Sequence, residues 1–231
     1  MKLIAVETAT EACSAALWLD GILTERFELV KNKHSQLILP MLEDLLNTAG
    51  LNPKDLTGLA FGCGPGSFTG VRIATGVIQG LAFALDLAVV PVSTLQAIAQ
   101  DYFDYHNDYA TVFVALDARM SEIYWAVYQR NALGYAELLG HEAVTSAANI
   151  AVPTYSGTGI GLGSGWQAYA NILQEHLGDQ LLGYDHTALP RARAIARCGV
   201  MGFSQQLAVP VELALPVYLR DNVAKKEAER N

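Results

Sequence analysis

Charge is scarce in this chain, and positive charge is scarcer still. Charged residues make up 16% of the 231, with 15 Lys and Arg against 23 Asp and Glu. The net charge of -8 argues against a free-standing nucleic-acid binder, which relies on basic side chains facing phosphate. Cysteine is sparse too. Cys13, Cys63 and Cys198 lie far apart, form no CxxC pair and are odd in number, so no disulfide framework is indicated. We read them as reduced thiols in a cytoplasmic protein. The apolar run after Met1-Lys2 stops at Glu7, too short for the core of a secretory signal. The long uncharged stretch from Ala143 to Gln174 is broken by Pro153 and several glycines, which makes it a poor membrane span; no membrane contact is expected. No low-complexity linker appears, and only Lys225 to Asn231 reads as a solvated, frayed end.

Catalytic signatures are missing as well. A P-loop needs G-x4-G-K-[ST], with a lysine facing the phosphates. The one prominent glycine loop, GCGPGSFTGVR from Gly62 to Arg72, has neither that glycine spacing nor a lysine. Gly64, Gly66 and Gly70 are spaced one residue longer than the dinucleotide fingerprint, and the next strand ends at Val92-Ser93 without an acid for a ribose hydroxyl. Ser67 and Ser164 lack the glycines two before and two after that a nucleophile elbow requires; Ser67 reads as a helix cap or turn residue. His34, His106, His141, His176 and His186 include no pair at i, i+3 or i, i+4, so there is no helical zinc pair. His34 reads as a surface residue. Cys63 reads as structural, with no nearby cation in sequence other than Arg72. No catalytic, metal-binding or cofactor-binding residue is assigned.

What is abundant is apolar surface, 52% of the residues, enough for a substantial core. Lys2 to Val6, Cys13 to Trp18 and Leu23 to Leu29 read as three strands in an antiparallel meander. A helix from about Ser35 to Thr48 carries Leu37, Ile38, Met41, Leu42, Leu45 and Leu46 on one face. Gly50 ends it, and Pro40 removes an early backbone bond and is expected to kink it. After a short strand, Gly58 to Phe61, comes a helix from about Phe68 to Leu85 whose only charge is Arg72. A helix apolar on all sides is expected to be buried on all sides. Its Gly70, Gly76 and Gly80 each cost about 1 kcal/mol relative to Ala, which close approach of another backbone would explain. The neighbours expected are the sheet and either the preceding helix or a second protein. Leu87 to Val92 is a strand, and Ser93 caps a helix to about Tyr102.

The second half opens as the first does. Thr111 to Leu116, Asp117, a turn and Glu122 to Tyr128 repeat the order of Leu3 to Val6, Glu7, a turn and Ser14 to Trp18. This weak internal repeat points to a duplicated fold, with lobes over 1–105 and 106–231. Gly157 to Gly165 reads as a loop before a helix from Trp166 to His176, and Ala192 to Gln206 as the last helix. Glu7 and Asp117 end equivalent strands, where an actin-like kinase would hold magnesium and nucleotide. The turn after Glu7 lacks glycines to admit phosphate, so both acids read as strand-end carboxylates.

The segments GPGSFTGVRIATGVIQGLAFAL and VPVSTLQAIAQ resemble the TsaB (YeaZ) family, as do ETATEACSAALW, KHSQLILPML, LDARMSEIYWAVYQ and PVYLRDNVA. The resemblance spans almost the whole chain. It implies an α/β, actin-like (ASKHA, ribonuclease H-like) duplicated fold with a reduced second lobe. It also implies a non-catalytic subunit without cofactor or metal that binds and activates TsaD. That paralogue transfers a threonylcarbamoyl group to the adenosine beside the tRNA anticodon, and the ATPase TsaE binds the pair. tRNA would be met only through the complex. Where TsaD has an HxxxH pair, matching by strand gives Thr94 and Ile98, neither able to replace a histidine ligand. This argues against the family's old label of glycoprotein endopeptidase. The resemblance further implies that the two first-lobe helices pair with TsaD or with a second copy, homodimer and heterodimer competing for one face. The residues expected there are Leu37, Met41, Leu45, Arg72, Ile73, Gly76, Val77 and Gly80. Two other readings are an actin-fold nucleotide-binding phosphotransferase, which tight ATP binding would favour, and a metallopeptidase, which stoichiometric metal would favour.

Overall fold

The computed structural model describes residues 1–154 and 157–220. The frayed end expected at Lys225 to Asn231, and the last residues of the PVYLRDNVA match, lie outside them. The unbroken apolar run of β1 (Lys2–Glu7) is buried on both faces, and β2 (Ala12–Leu19) and β3 (Ile22–Leu29) extend it as the expected meander. β4 (Gly58–Gly64) joins β1 in parallel and β5 (Val89–Ser93) joins β4, giving the order β3-β2-β1-β4-β5. The second sheet holds β6 (Thr111–Arg119), β7 (Glu122–Arg130), β8 (Ala136–Thr145), β9 (Gly159–Leu162) and β10 (Leu181–Asp185). Its order, β8-β7-β6-β9-β10, repeats the first with the same strand directions. The weak sequence repeat is thus a full topological one.

Among the described residues five α-helices cover the sheets. α1 (His34–Ala49) and α2 (Phe68–Leu85) bury Ile38, Leu45, Ala74 and Ile78 on one face of the first sheet, against Ile4, Val6, Leu59 and Phe61. α4 (Gly165–Leu177) packs Trp166 and Leu173 on the second sheet against Phe113 and Trp125. Between the sheets lie α3 (Thr94–Tyr105) and α5 (Ala192–Ser204). Leu95, Ile98 and Phe103 of α3 face β6 and β7 of the second sheet, while Ala192, Ile195 and Ala196 of α5 face Leu3, Ala5 and Ala60 of the first. Arg193 of α5 holds Asp101 of α3 through two bonds of 2.5 and 2.9 Å, and Arg191 reaches Glu25 of β3. The second lobe is the reduced one. Where the first has α1 between its third and fourth strands, the described residues of the second hold one helical turn, Ala147–Asn149.

Residue 105 lies between the two sheets; α3 packs on β6, β7 and β8 of the second and also on β4 and β5 of the first, and α5 packs on the first. Two expectations change. The stretch Gly157 to Gly165 is not only loop, since β9 lies within it and is the parallel neighbour of β6. And α2 is not buried on all sides. By length and composition it would suffice to cross a membrane, yet only 33% of it is buried in the fold, along the stripe Val71, Ala74, Ile78 and Ala82.

Candidate functional site

The loop between β4 and α2 is filled by its own chain. A Cβ at Gly62 would sit 1.9 Å from Glu7 Oε2, one at Gly66 2.6 Å from the Ala9 carbonyl oxygen, and one at Gly70 2.0 Å from that of Thr8. At Gly64, φ is +107° and the space is taken by the carbonyl of Val217, 2.7 Å away. These glycines therefore admit the β1–β2 turn and a C-terminal segment. The backbone donors are used in the same way. The Ser67 N–H donates to Ala9 (2.7 Å), the Val217 N–H to Cys63 (2.7 Å), and the Ser67 hydroxyl caps α2 by accepting from the Gly70 N–H (3.4 Å). Burial pushes the Cys63 thiol up to about 12, which leaves it protonated and unreactive at neutral pH.

A cleft of about 860 Å³ separates the lobes here, lined by residues 9–11 and 65–68 of the first lobe, 116–119 of the second, and 217–220. The two strand-end acids are not brought together in it. Asp117 lines the cleft, with its Oδ1 accepting from the Arg119 N–H at 2.9 Å. Glu7 is wholly buried behind Gly62. Its Oε1 accepts from the Ala9 N–H (2.6 Å), while Oε2 and the nearby Thr94 hydroxyl have no well-formed partner. Burial raises the Glu7 carboxyl to about 7, against the backbone N–H groups of Ala9 and Thr8, which lower it. His34 is not a plain surface residue: it lines the cleft, and its Nε2 is buried without a partner. Thr94 and Ile98 are both buried in α3, and among the described residues no three His, Cys, Asp or Glu side chains group to hold a metal.

Sequence reasoning missed a polar knot between the lobes. Glu142 of β8 accepts hydrogen bonds from the hydroxyls of Ser93, at the end of β5, and Tyr128 of β7. Burial raises the pKa of both Glu142 and Tyr128. No signal pointed to Glu142, because the strand that carries it was not recognised.

The expected pairing residues divide into three sets. Met41 and Leu45 are 7% and 1% exposed and belong to the core under α1, a correction that follows from their place on the stripe facing the sheet. Leu37, Ile73 and Val77 are half-buried at its margin. Arg72, Gly76 and Gly80 are exposed, and a Cβ at either glycine would meet nothing within 4 Å. Phe68 and Phe83, missed in the sequence, extend this face at 54% and 81% exposure. The Arg72 guanidinium lies 3.7 Å over the Phe68 ring and donates from Nε to the Tyr218 hydroxyl at 2.9 Å.

Two copies of one mixed sheet, with helices between and outside them, define an actin-like duplicated α/β protein. The family model for TsaD, tRNA N6-adenosine threonylcarbamoyltransferase, matches residues 27–228. The sequence is 42% identical over 98% of both chains to the tRNA threonylcarbamoyladenosine biosynthesis protein TsaB of Escherichia coli strain K12. It is 36% identical to that of Haemophilus influenzae, over 98% of this chain and 97% of that one. The solved structure of YeaZ from Pseudomonas aeruginosa, at 40% identity, matches with a TM-score of 0.88 over 94% of this chain and 99% of that one. The chain belongs to the TsaB (YeaZ) family of tRNA threonylcarbamoyladenosine biosynthesis proteins.

Proposed function

We propose that this chain is a non-catalytic subunit that docks a TsaD-type partner on the outer faces of α1 and α2. Together with a TsaE-type ATPase, it activates that partner for threonylcarbamoyl transfer to the adenosine beside the tRNA anticodon. The observation that carries this reading is the bare face of α2, where Phe68, Gly76, Gly80 and Phe83 stand exposed around one charge, Arg72. Glycine lets a second backbone approach closely, and the space over both glycines is open. Docking would act by favouring the partner's active arrangement, a population shift with no chemistry of its own. The closed-in Glu7 and the self-satisfied Asp117 support that division of labour. A second copy of the chain would compete for the same face. The reading takes the protein as cytoplasmic, apart from membranes, and in contact with tRNA only through the complex, in keeping with a net charge of -8.

The test is incorporation of labelled threonine into unmodified tRNA, with the threonylcarbamoyl-adenylate synthase, ATP, bicarbonate, TsaD and TsaE present. We expect activity only when this chain and TsaD are both supplied, and its loss, with loss of pairing, in Gly76→Trp. Activity without this chain would sink the reading, and activity with it in place of TsaD would reveal a catalytic site. Unchanged pairing in a folded Gly76→Trp protein would remove the α2 face from consideration.

A further inference from the structure

After α5 the chain returns across the first lobe and is laid along α2. Val209 bridges to Val89 of β5, and Gln79 Nε2 donates to the Ala214 carbonyl at 2.8 Å. Val217 is bonded to Cys63 in the glycine loop, and Tyr218 packs on Phe68, ring centres 5.7 Å apart, while its hydroxyl accepts from Arg72. Two residues later the chain touches the other lobe. Arg220 forms an ion pair with Glu122 of β7, and its Nη2 donates to the Arg119 carbonyl at 3.4 Å. Residues 217–220 all line the cleft. Other links between the lobes lie outside it: Ser93 to Glu142, and Gln96 and Gln100 to the backbone of Gly134 and Ala136, run through the start and middle of α3.

Arg220 lands on a strained turn. Arg119, Met120 and Ser121 have φ of 63°, 55° and 63°, three left-handed residues in succession and none of them glycine. Each costs roughly 1–2 kcal/mol against the right-handed conformation. Such backbone persists only where the surroundings fix it. Here they do so through Asp117 Oδ1, which accepts from the Arg119 N–H, and through Arg220.

We propose that residues 213–220 form a latch across the mouth of the cleft, with Arg220 as its catch and the strained β6–β7 turn as its keeper. The glycine loop is then the seat of the latch: Gly64 has no side chain because the Val217 backbone lies there. With the catch released, the lobes are joined through α3 and the Ser93–Glu142 knot, and the cleft widens. Tyr218 of the latch touches Phe68 and Arg72 of the docking face, but the latch is a property of the protein alone and is read without a partner present.

The test is the distribution of distances across the cleft, from spin labels on Glu11→Cys and Gln167→Cys, which line it from opposite lobes. The native thiols are all buried, and burial pushes them up to about 11 (Cys13) and about 12 (Cys63 and Cys198), so the introduced cysteines label selectively. Arg220→Ala should broaden the distribution about twofold toward longer distances, as hinge opening does. Glu122→Gln should do the same, and the exchange Arg220→Glu with Glu122→Arg should restore the narrow distribution. A distribution unchanged in either single variant overturns the latch, as does an exchange variant as broad as the singles. Should Arg220→Ala not fold, Glu122→Gln decides.

Discussion

α2 and α4 hold the same place in two copies of one plan. Each follows the fourth strand of its half, precedes the fifth and covers one face of its sheet. Their inner sides do equivalent jobs, with Val71, Ala74, Ile78 and Ala82 in one and Trp166, Leu173 and Leu177 in the other. Their outer sides differ. α4 shows solvent Gln167, Asn171, Gln174, Glu175 and His176 beside the smaller apolar Ala168 and Ile172; α2 shows Phe68, Gly76, Gly80, Phe83 and Ala84, with Thr69 and, as its single charge, Arg72. A sheet asks only for one apolar stripe on the helix that covers it. The second copy demonstrates this, so the outer face of α2 answers to something other than the fold of its own lobe. The two halves differ again beside these helices, where the first retains α1 and encloses an acid.

Replacing Leu45 with Ala should have the largest effect, because it empties the space under a helix that the second half lacks. A loss of about 4 kcal/mol is expected from the burial of this side chain, against under about 1 kcal/mol for half-buried Leu37→Ala. Equal losses in denaturant unfolding would mean that α1 is packed on both sides.

Next comes Glu7→Gln. The folded carboxyl titrates at about 7 and the unfolded one at 4.5, so between these values the folded state binds more protons. Stability contributed by the protonated group is therefore lost as pH rises from about 4.5 to about 7, in all about 3 kcal/mol. The uncharged Gln should lack this fall, and its advantage over the parent should grow by about that amount between about pH 4 and pH 8. Glu142 and Asp104, also raised by burial, affect both proteins alike and cancel. A difference independent of pH would place a charged carboxylate in the core.

The smallest effect sharpens the comparison most. Gly76→Ala should stabilise the isolated protein by about 1 kcal/mol, since the position is helical and open. Gly70→Ala on the same helix should destabilise it, because its Cβ meets the Thr8 carbonyl. If thermal unfolding shows both glycines losing stability, the outer face of α2 is covered within the protein itself.

Much of this was legible from the chain. The meander announced itself through short apolar runs and polar turns, and the α2 boundaries, Phe68–Leu85, were those its pattern predicted. Legibility failed where local pattern and tertiary role part company. β8 reads AELLGHEAVT, with a glycine at φ +81° and no sustained alternation. β10 is a largely exposed edge strand without an apolar run. β9 is four residues inside a glycine-rich stretch, and only its pairing with β6 and β10 makes it a strand. Met41 and Gly76 both lie on helices that sequence could place. Which one faces the core depends on the sheet beneath, and sequence spacing alone joined them in one surface. The placement of α5 beside β1 is a contact between distant parts of the chain, and no window along the sequence contains both.

That placement has a consequence for how the molecule is made. A ribosome delivers β1 long before α5, yet Leu3, Ala5 and Ala60 are covered by Ala192, Ile195 and Ala196. During synthesis the first sheet is complete by Ser93, but beyond the part that α3 covers, the face under α5 stays open until roughly a hundred further residues have emerged, an interval in which exposed strands invite wrong partners. The nascent chain is most vulnerable there, and its two halves must mature as one unit rather than in turn.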